Sequence, residues 1–507
     1  MSISHSKNAR WGIILSYASL SISLIGTLFV TNRVLNLIGD YNYGLYSFVN
    51  SITTWITVVS SALVASYLRF TSIEASKNAG DVSRTNTLYF KLLFIVGISA
   101  FVVGASVVGL LYGFHVEFGK YDWEDSKLIY LLFVFSILNI FISFIATIFT
   151  QFIHYKKQFV YEKLIVIGNT IITFIAHFFI AYFTKNIVYI AIYSAFSTLL
   201  TLCINIYFCK KHLGITFSKA TFKENKTLVN SILVFSSFLV LNSVVDQVSQ
   251  QVDKTLLGFF STPENVTIYQ LGMQFSMYLS TMAVAVSGVF VPRVYELYTN
   301  NKTEELNNLF LKVSRLQAII VVFIVLGFVA CGHDFILWWV GEKRIYAYYV
   351  GAVLLTLGIM PQSVKLAIEI QRAHNKHIFR SIVYFLAAIV NVLLSIILLV
   401  LLPKEYAIFA CLIGTIVTNF ACGWIATNIY NKKVIKLPME KHWVELTKLL
   451  LFGASAVGVT FLIKLCVLTG VPSPLLRFLI EGFVFVFVYA IFLLIFERKF
   501  LMSILRK

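Results

Sequence analysis

Long apolar segments separated by short polar ones recur along the whole chain. Six can be drawn at roughly 11–32, 44–68, 88–112, 128–153, 164–183 and 187–209. After a basic loop from Lys210 to Lys226 come roughly 227–252, 265–291, 313–335, 347–371, 380–402, 406–430, 446–469 and 475–496. Each spans about 20 residues or more, enough to cross a hydrocarbon core of about 30 Å as a helix. The pattern predicts an all-α integral membrane protein with about fourteen transmembrane helices. Lys7 and Arg10 ahead of the first segment suggest a signal peptide. The length of the segment and the lack of a small-x-small cleavage site favour a first spanning helix.

The seventh segment breaks the apolar pattern. Between Asn242 and Lys254 it carries Asn242, Asp246, Gln247, Gln250, Gln251, Asp253 and Lys254. Asn242, Asp246 and Gln250 recur at i, i+4, i+8 and so share one helix face. An acid near the bilayer centre costs roughly 2.5–3.5 kcal/mol, so this face is expected to line protein or a watery cavity, as the wall of a transport path. Helix 4 adds Asn139, Ser143, Thr147 and Gln151, and helix 5 adds Asn169, Thr173 and His177, again at i+4 steps. These stripes suit either a cavity wall or ordinary helix-to-helix hydrogen bonding, worth about 0.6 kcal/mol per contact. Charged candidates are Arg33, Arg69, Arg293, Asp253, Lys254 and Lys365, the last with Glu369 one turn on. Such groups together suit a large amphiphilic anion: cations for phosphate, amides and hydroxyls for sugar, a lipid-accessible side for a tail.

Composition agrees with a membrane protein, with 59% hydrophobic and 13% charged residues. A net charge of +18 would otherwise suggest nucleic acid, but the basic residues are scattered among short loops. Sorting the loops by side assigns about 30 of the 41 Lys and Arg to the set holding both termini, which predicts cytoplasmic termini. Six cysteines without a CxxC pair point to free thiols, and no metal site is expected.

Unlike features recur at an offset of about 220 residues. Arg69 matches Arg293, HYKKQF from His154 matches HNKHIF from His374, Asn169 matches Asn391, and Lys210–Lys211 matches Lys432–Lys433. The repeat predicts two six-helix lobes related by an internal parallel repeat plus two C-terminal helices. Residues 1–226 would form the N-lobe (helices 1 to 6), 227–440 the C-lobe (helices 7 to 12), and 441–507 helices 13 and 14 with a cytoplasmic C-terminus.

The N-terminal NARWGIILSYASLSISLIGTLFV, LIGDYNYGLYSFVNSITTW running to Arg69, QVDKTLLGFF before Tyr269, VFVPRV around Arg293 and QRAHNKH from Gln371 give the chain its resemblance. It resembles the oligosaccharide flippases of the polysaccharide transporter family, within the multidrug/oligosaccharidyl-lipid/polysaccharide exporter superfamily. The resemblance implies alternating access and a cargo of undecaprenyl diphosphate bearing an oligosaccharide, moved from the inner to the outer leaflet of a bacterial cytoplasmic membrane. O-antigen, capsule or exopolysaccharide synthesis would follow, with a polymerase among the partners, no nucleic acid and no cofactor. It implies Arg33, Arg69 and Arg293 near the diphosphate, and the charge pattern adds Lys254 and Lys365 as candidates beside them. Asp246 and Asp253 would balance charge or couple to protons or sodium, and Asn242, Gln250, Asn139 and Asn169 would contact sugar. A drug antiporter of the same superfamily is the nearest competitor, although its members typically have twelve spans. A membrane polymerase or ligase would need an assembled catalytic constellation, and no DxD, HExxH or nucleotide loop occurs, so no enzyme is expected.

Overall fold

The structure is a computed structural model that describes residues 2–498 except 79, 375 and 377, together with 500 and 502; the side chains of 2–14, 238, 241, 242, 246, 249 and 469 lie outside the described set. The described residues are helical or irregular, and the chain divides into two compact units, Met1–Thr267 and Ile268–Lys507.

The first unit holds α1 (Ser2–Ile38), α2 (Asp40–Thr53), α3 (Thr57–Lys77), α4 (Ser83–Gly113), α5 (Trp123–Tyr155), α6 (Phe159–Thr184), α7 (Ile187–Lys211) and α8 (Lys226–Phe260). Gly39 separates α1 from α2 at φ 89, a conformation that a side chain would disfavour. The loops prepare the helix starts: Asp122 accepts from the Asp125 amide at the head of α5, and Asn186 accepts from the Val188 amide at the head of α7. α5 packs along α7 and α4, α6 along α1, and α8 along α2 and α3. Tyr67, Tyr89, Phe149, Phe152 and Ile232 form the buried centre.

α9 (Pro263–Gly288) leads into the second unit. There follow α10 (Val291–Thr299), α11 (Thr303–Val340), α12 (Tyr346–Ser363), α13 (Lys365–Ala373), α14 (Ile378–Leu401), α15 (Ala407–Asn419), α16 (Thr427–Lys433), α17 (Met439–Cys466) and α18 (Pro474–Phe496). A π-helical stretch at Phe420–Ala426 joins α15 to α16. Its core is built from Val322, Val325, Leu446, Leu449, Phe485 and Tyr489.

Every predicted segment falls on a helix or a broken pair of helices: the second on α2 and α3, the eighth on α9 and α10, the tenth on α12 and α13, the twelfth on α15 and α16. Among the described residues twelve helices are long and apolar enough to cross a membrane, or thirteen with the α9–α10 pair, which bends by 45°. α8, at 35 residues, is long enough for the fourteenth. Where the repeat sets a boundary at residue 226, packing sets one at 267, because α8 lies against α2 and α3. Apolar side chains such as Phe183, Leu401 and Phe483 stand exposed on the outside of the helices, where lipid would solvate them.

Similar contacts occur in both units. At the head of α6 Tyr161 stacks on Phe208 of α7 at 3.5 Å, and at the head of α14 Phe379 stacks on Tyr430 of α16 at 4.1 Å. Ser197 donates to Asn169 Oδ1 at 2.7 Å, and Asn391 donates to Thr415 Oγ1 at 3.1 Å.

The two C-terminal helices are fastened to α11 by charge. Buried Asp334 takes Arg477 Nε at 2.9 Å and also Lys464, which reaches Glu481 at 3.0 Å. Nearer the start of α11, Arg315 meets Glu497 at 2.6 Å and Glu445 at 3.2 Å, and Lys448 meets Glu497 at 2.6 Å. At about 1.5 Å per residue the two networks lie roughly 28 Å apart along α11, close to a hydrocarbon thickness of about 30 Å. This places them near opposite ends of the span. Sequence reasoning passed over these residues, although a charge inside an apolar segment was the available signal.

Candidate functional site

Among the described residues of the first unit, two sets line cavities. The first, about 800 Å³, opens between α3 and α8 and is lined by Arg69 and Phe70 on one side and Lys226, Asn230, Ser231 and Phe235 on the other. The Arg69 guanidinium sits 4.3 Å from the centre of the Phe235 ring, a cation–π contact that holds the charge at the cavity wall. Phe70 meets the same ring edge-on at 5.9 Å.

The segment before α8 is strapped down, which fixes Lys226. Asn86 Nδ2 donates to Thr216 O at 3.2 Å, the Ser218 amide to Thr87 Oγ1 at 2.8 Å, and Lys91 Nζ to Ala220 O at 2.7 Å. Arg84 joins Asn225 to Glu74, the latter at 3.2 Å. Lys226 begins α8, so the cavity gains the positive end of a helix dipole beside two cationic side chains. One face is cationic, a second carries amide and hydroxyl groups, and a third is aromatic. Lys226, Asn230 and Ser231 escaped the sequence reading because they sit at the end of a segment, where a lysine reads as an ordinary loop residue.

The second cavity, about 440 Å³, lies among α3, α5, α6 and α7. Ser143, Thr147, Gln151 and Asn169 from the predicted stripes line it, and Thr198, Thr201 and Asn205 of α7 complete it. Asn139, one turn before Ser143, has its Oδ1 buried with no hydrogen-bond partner among the described residues.

The remaining candidates are dispersed. Arg33 is exposed near the end of α1. Arg293, exposed on α10 in the second unit, pairs with Glu296 at 2.6 Å and Glu305 at 3.3 Å. Lys365 opens α13, where Glu369 takes Arg372 at 2.7 Å. Asp253 and Lys254 are buried in α8, whereas Gln250 is exposed and Gln247 reaches Thr57 at 3.4 Å. The side chains of Asn242 and Asp246 lie outside the described residues.

Solved structures share this fold. The lipid II flippase MurJ in an inward closed conformation aligns over 98% of this chain and all of its own, with a TM-score of 0.73 and 15% identity. A multidrug resistance MATE family transporter of the MOP superfamily, outward-facing, aligns over 84% of this chain and 96% of its own, with a TM-score of 0.56 and 13% identity. A MATE transporter of Vibrio cholerae in the bent form aligns over 87% and 99%, with a TM-score of 0.51 and 14% identity. None of the curated protein sequences matches the chain significantly. The family model described as polysaccharide biosynthesis protein matches residues 9–298. With more than half of its length covered by that model, the chain belongs to the polysaccharide biosynthesis protein family and has the fold of MOP-superfamily transporters.

Proposed function

We propose that this protein is a flippase that carries undecaprenyl diphosphate-linked oligosaccharide repeat units from the inner to the outer leaflet of a bacterial cytoplasmic membrane, by alternating access, for cell-surface polysaccharide synthesis. The observation that carries the reading is the cavity at Arg69. A guanidinium and an ammonium beside a helix N-terminus suit a diphosphate, Asn230 and Ser231 suit the first sugar, and Phe70 and Phe235 suit a lipid chain. The distribution of loop charge supports cytoplasmic termini, and with them an inward-facing mouth for this cavity. Arg293, the repeat partner of Arg69, would present a second cation once cargo displaces its carboxylates, with Arg33 on the exit side. Asp246 and Asp253 are the coupling candidates.

Flipping of a labelled undecaprenyl diphosphate oligosaccharide in proteoliposomes tests this. Losing one charge-assisted contact of about 1.5 kcal/mol lowers transport roughly tenfold, so Arg69→Ala and Lys226→Ala should each show that loss with normal membrane insertion. Normal flux in both variants would sink the assignment. Flux that depends on a proton or sodium gradient in wild type, but not in Asp246→Asn or Asp253→Asn, would assign coupling. Movement of an organic cation, with every lipid-linked glycan left in place, would make the protein an antiporter.

A further inference from the structure

The second cavity has a polarity that its residue types alone do not reveal. Six hydroxyls line it. The Ser61 hydroxyl contacts both Val58 O and, across to α8, Ser243 Oγ, each at 2.8 Å. The other five are turned back on their own helices: Ser143 donates to Ile140 O at 2.7 Å, Thr147 to Ser143 O at 2.8 Å, Thr150 to Ala146 O at 3.2 Å, Thr198 to Ser194 O at 3.0 Å and Thr201 to Ser197 O at 2.9 Å. A hydroxyl has one proton and two lone pairs, so what these groups leave for the cavity is oxygen acceptors. The donors come from amides. Asn169 takes the Ser197 proton on its oxygen, leaving its NH₂ available, and Gln151 and buried Asn205 stand on either side.

No ionisable side chain is among the described residues that line this cavity. An anionic ligand would find no cation there. An alkali cation would find oxygens but no carboxylate to offset its removal from water. A neutral molecule rich in hydroxyl protons meets both conditions. The volume of about 440 Å³ falls in the range of small-ligand pockets, about 300–1,000 Å³.

We infer that this cavity binds an uncharged sugar ring, whose hydroxyl protons meet the ring of serine and threonine oxygens. The inference rests on the flippase reading and deepens it: the cavity between α3 and α8 takes the phosphates, this one takes neutral sugar, and acidic sugars are selected against here. No covalent step is involved.

The test is saturation-transfer NMR on the purified full-length protein with free galactose, N-acetylglucosamine and glucuronate as probes. Thr147→Val with Thr198→Val removes two oxygens at nearly constant shape, and an unchanged melting temperature shows that the variant folds. The expected result is transfer to the two neutral sugars, little to glucuronate, and at least a fivefold loss in the double variant. Equal transfer in variant and wild type, equal transfer to glucuronate, or no transfer to either neutral sugar would overturn the inference. A sodium-dependent rise in melting temperature that the double variant loses, without a sugar signal, would make it a cation site and overturn it as well. The two readings fail separately. Glycan flipping that needs Arg69 but tolerates Thr147→Val with Thr198→Val rejects this site alone, whereas sugar binding without any flipping rejects the flippase and leaves the site.

Discussion

Single residues in this protein act mainly through how closely helices approach and which way a polar group points. Gly258 lies where an added Cβ would meet the Phe48 ring at 1.9 Å, and at Gly44 it would meet the Pro263 carbonyl oxygen at the same distance. Both glycines allow close contacts inside the first unit. Gly109, by contrast, has nothing within 4 Å. Gly258→Leu should therefore destabilise by about 1–3 kcal/mol, as overpacking does, and Gly109→Ala should stabilise by roughly 0.5–1 kcal/mol through helix propensity. Thermal unfolding in detergent reads both; equal shifts would contradict the packing argument. Arg69 was legible at this scale as a charge at the end of an apolar run, but its ring contact with Phe235 came from a helix more than 150 residues away and was not.

At the scale of elements, α11, α17 and α18 form one three-helix group closed by two ion networks. Buried Asp334 and Glu481 depend on Lys464 and Arg477 for compensation. Removing one partner of a buried pair costs about 3–5 kcal/mol, and less where the partner is partly exposed, as Lys464 is at 28%. Lys464→Met should lower the melting temperature clearly. Adding Glu481→Gln should recover much of the loss, because the stranded carboxylate is then gone while Asp334 keeps Arg477. A double variant less stable than Lys464→Met would show that the network contributes more than mutual compensation. The predicted helices 13 and 14 were legible as apolar runs; their attachment to α11 was not, since pairing of charges across helices has no signature in the spacing of one helix.

For the whole molecule, the loops decide orientation. With cytoplasmic termini, the α4–α5 loop at Lys120 lies outside and the α7–α8 connection at Lys219 inside. After replacement of exposed Cys203 and Cys466, Lys120→Cys should react with a membrane-impermeant maleimide in intact cells, and Lys219→Cys only after permeabilisation. The reverse pattern would invert the topology and move the Arg69 cavity to the outer side. Stacked pairs occur in both units, Tyr161–Phe208 and Phe379–Tyr430, and α8 packs with the first unit. Packing follows which apolar faces meet, wherever a repeat would begin.

Periodicity and length determined the helices. An apolar run of about 20 residues has few other stable forms in lipid, where each backbone amide needs an internal partner. The i+4 stripes on α5 and α6 were readable for the same reason, since helical geometry is local. Only the tertiary structure decided that these stripes meet Thr198, Thr201 and Asn205 of α7 around one uncharged cavity, and that Arg69 meets Lys226 around a cationic one. The hydroxyl bonds themselves, such as Thr147 to Ser143 O and Thr198 to Ser194 O, stay within one helix and are local. Which helices become neighbours depends on contacts between residues far apart in the chain.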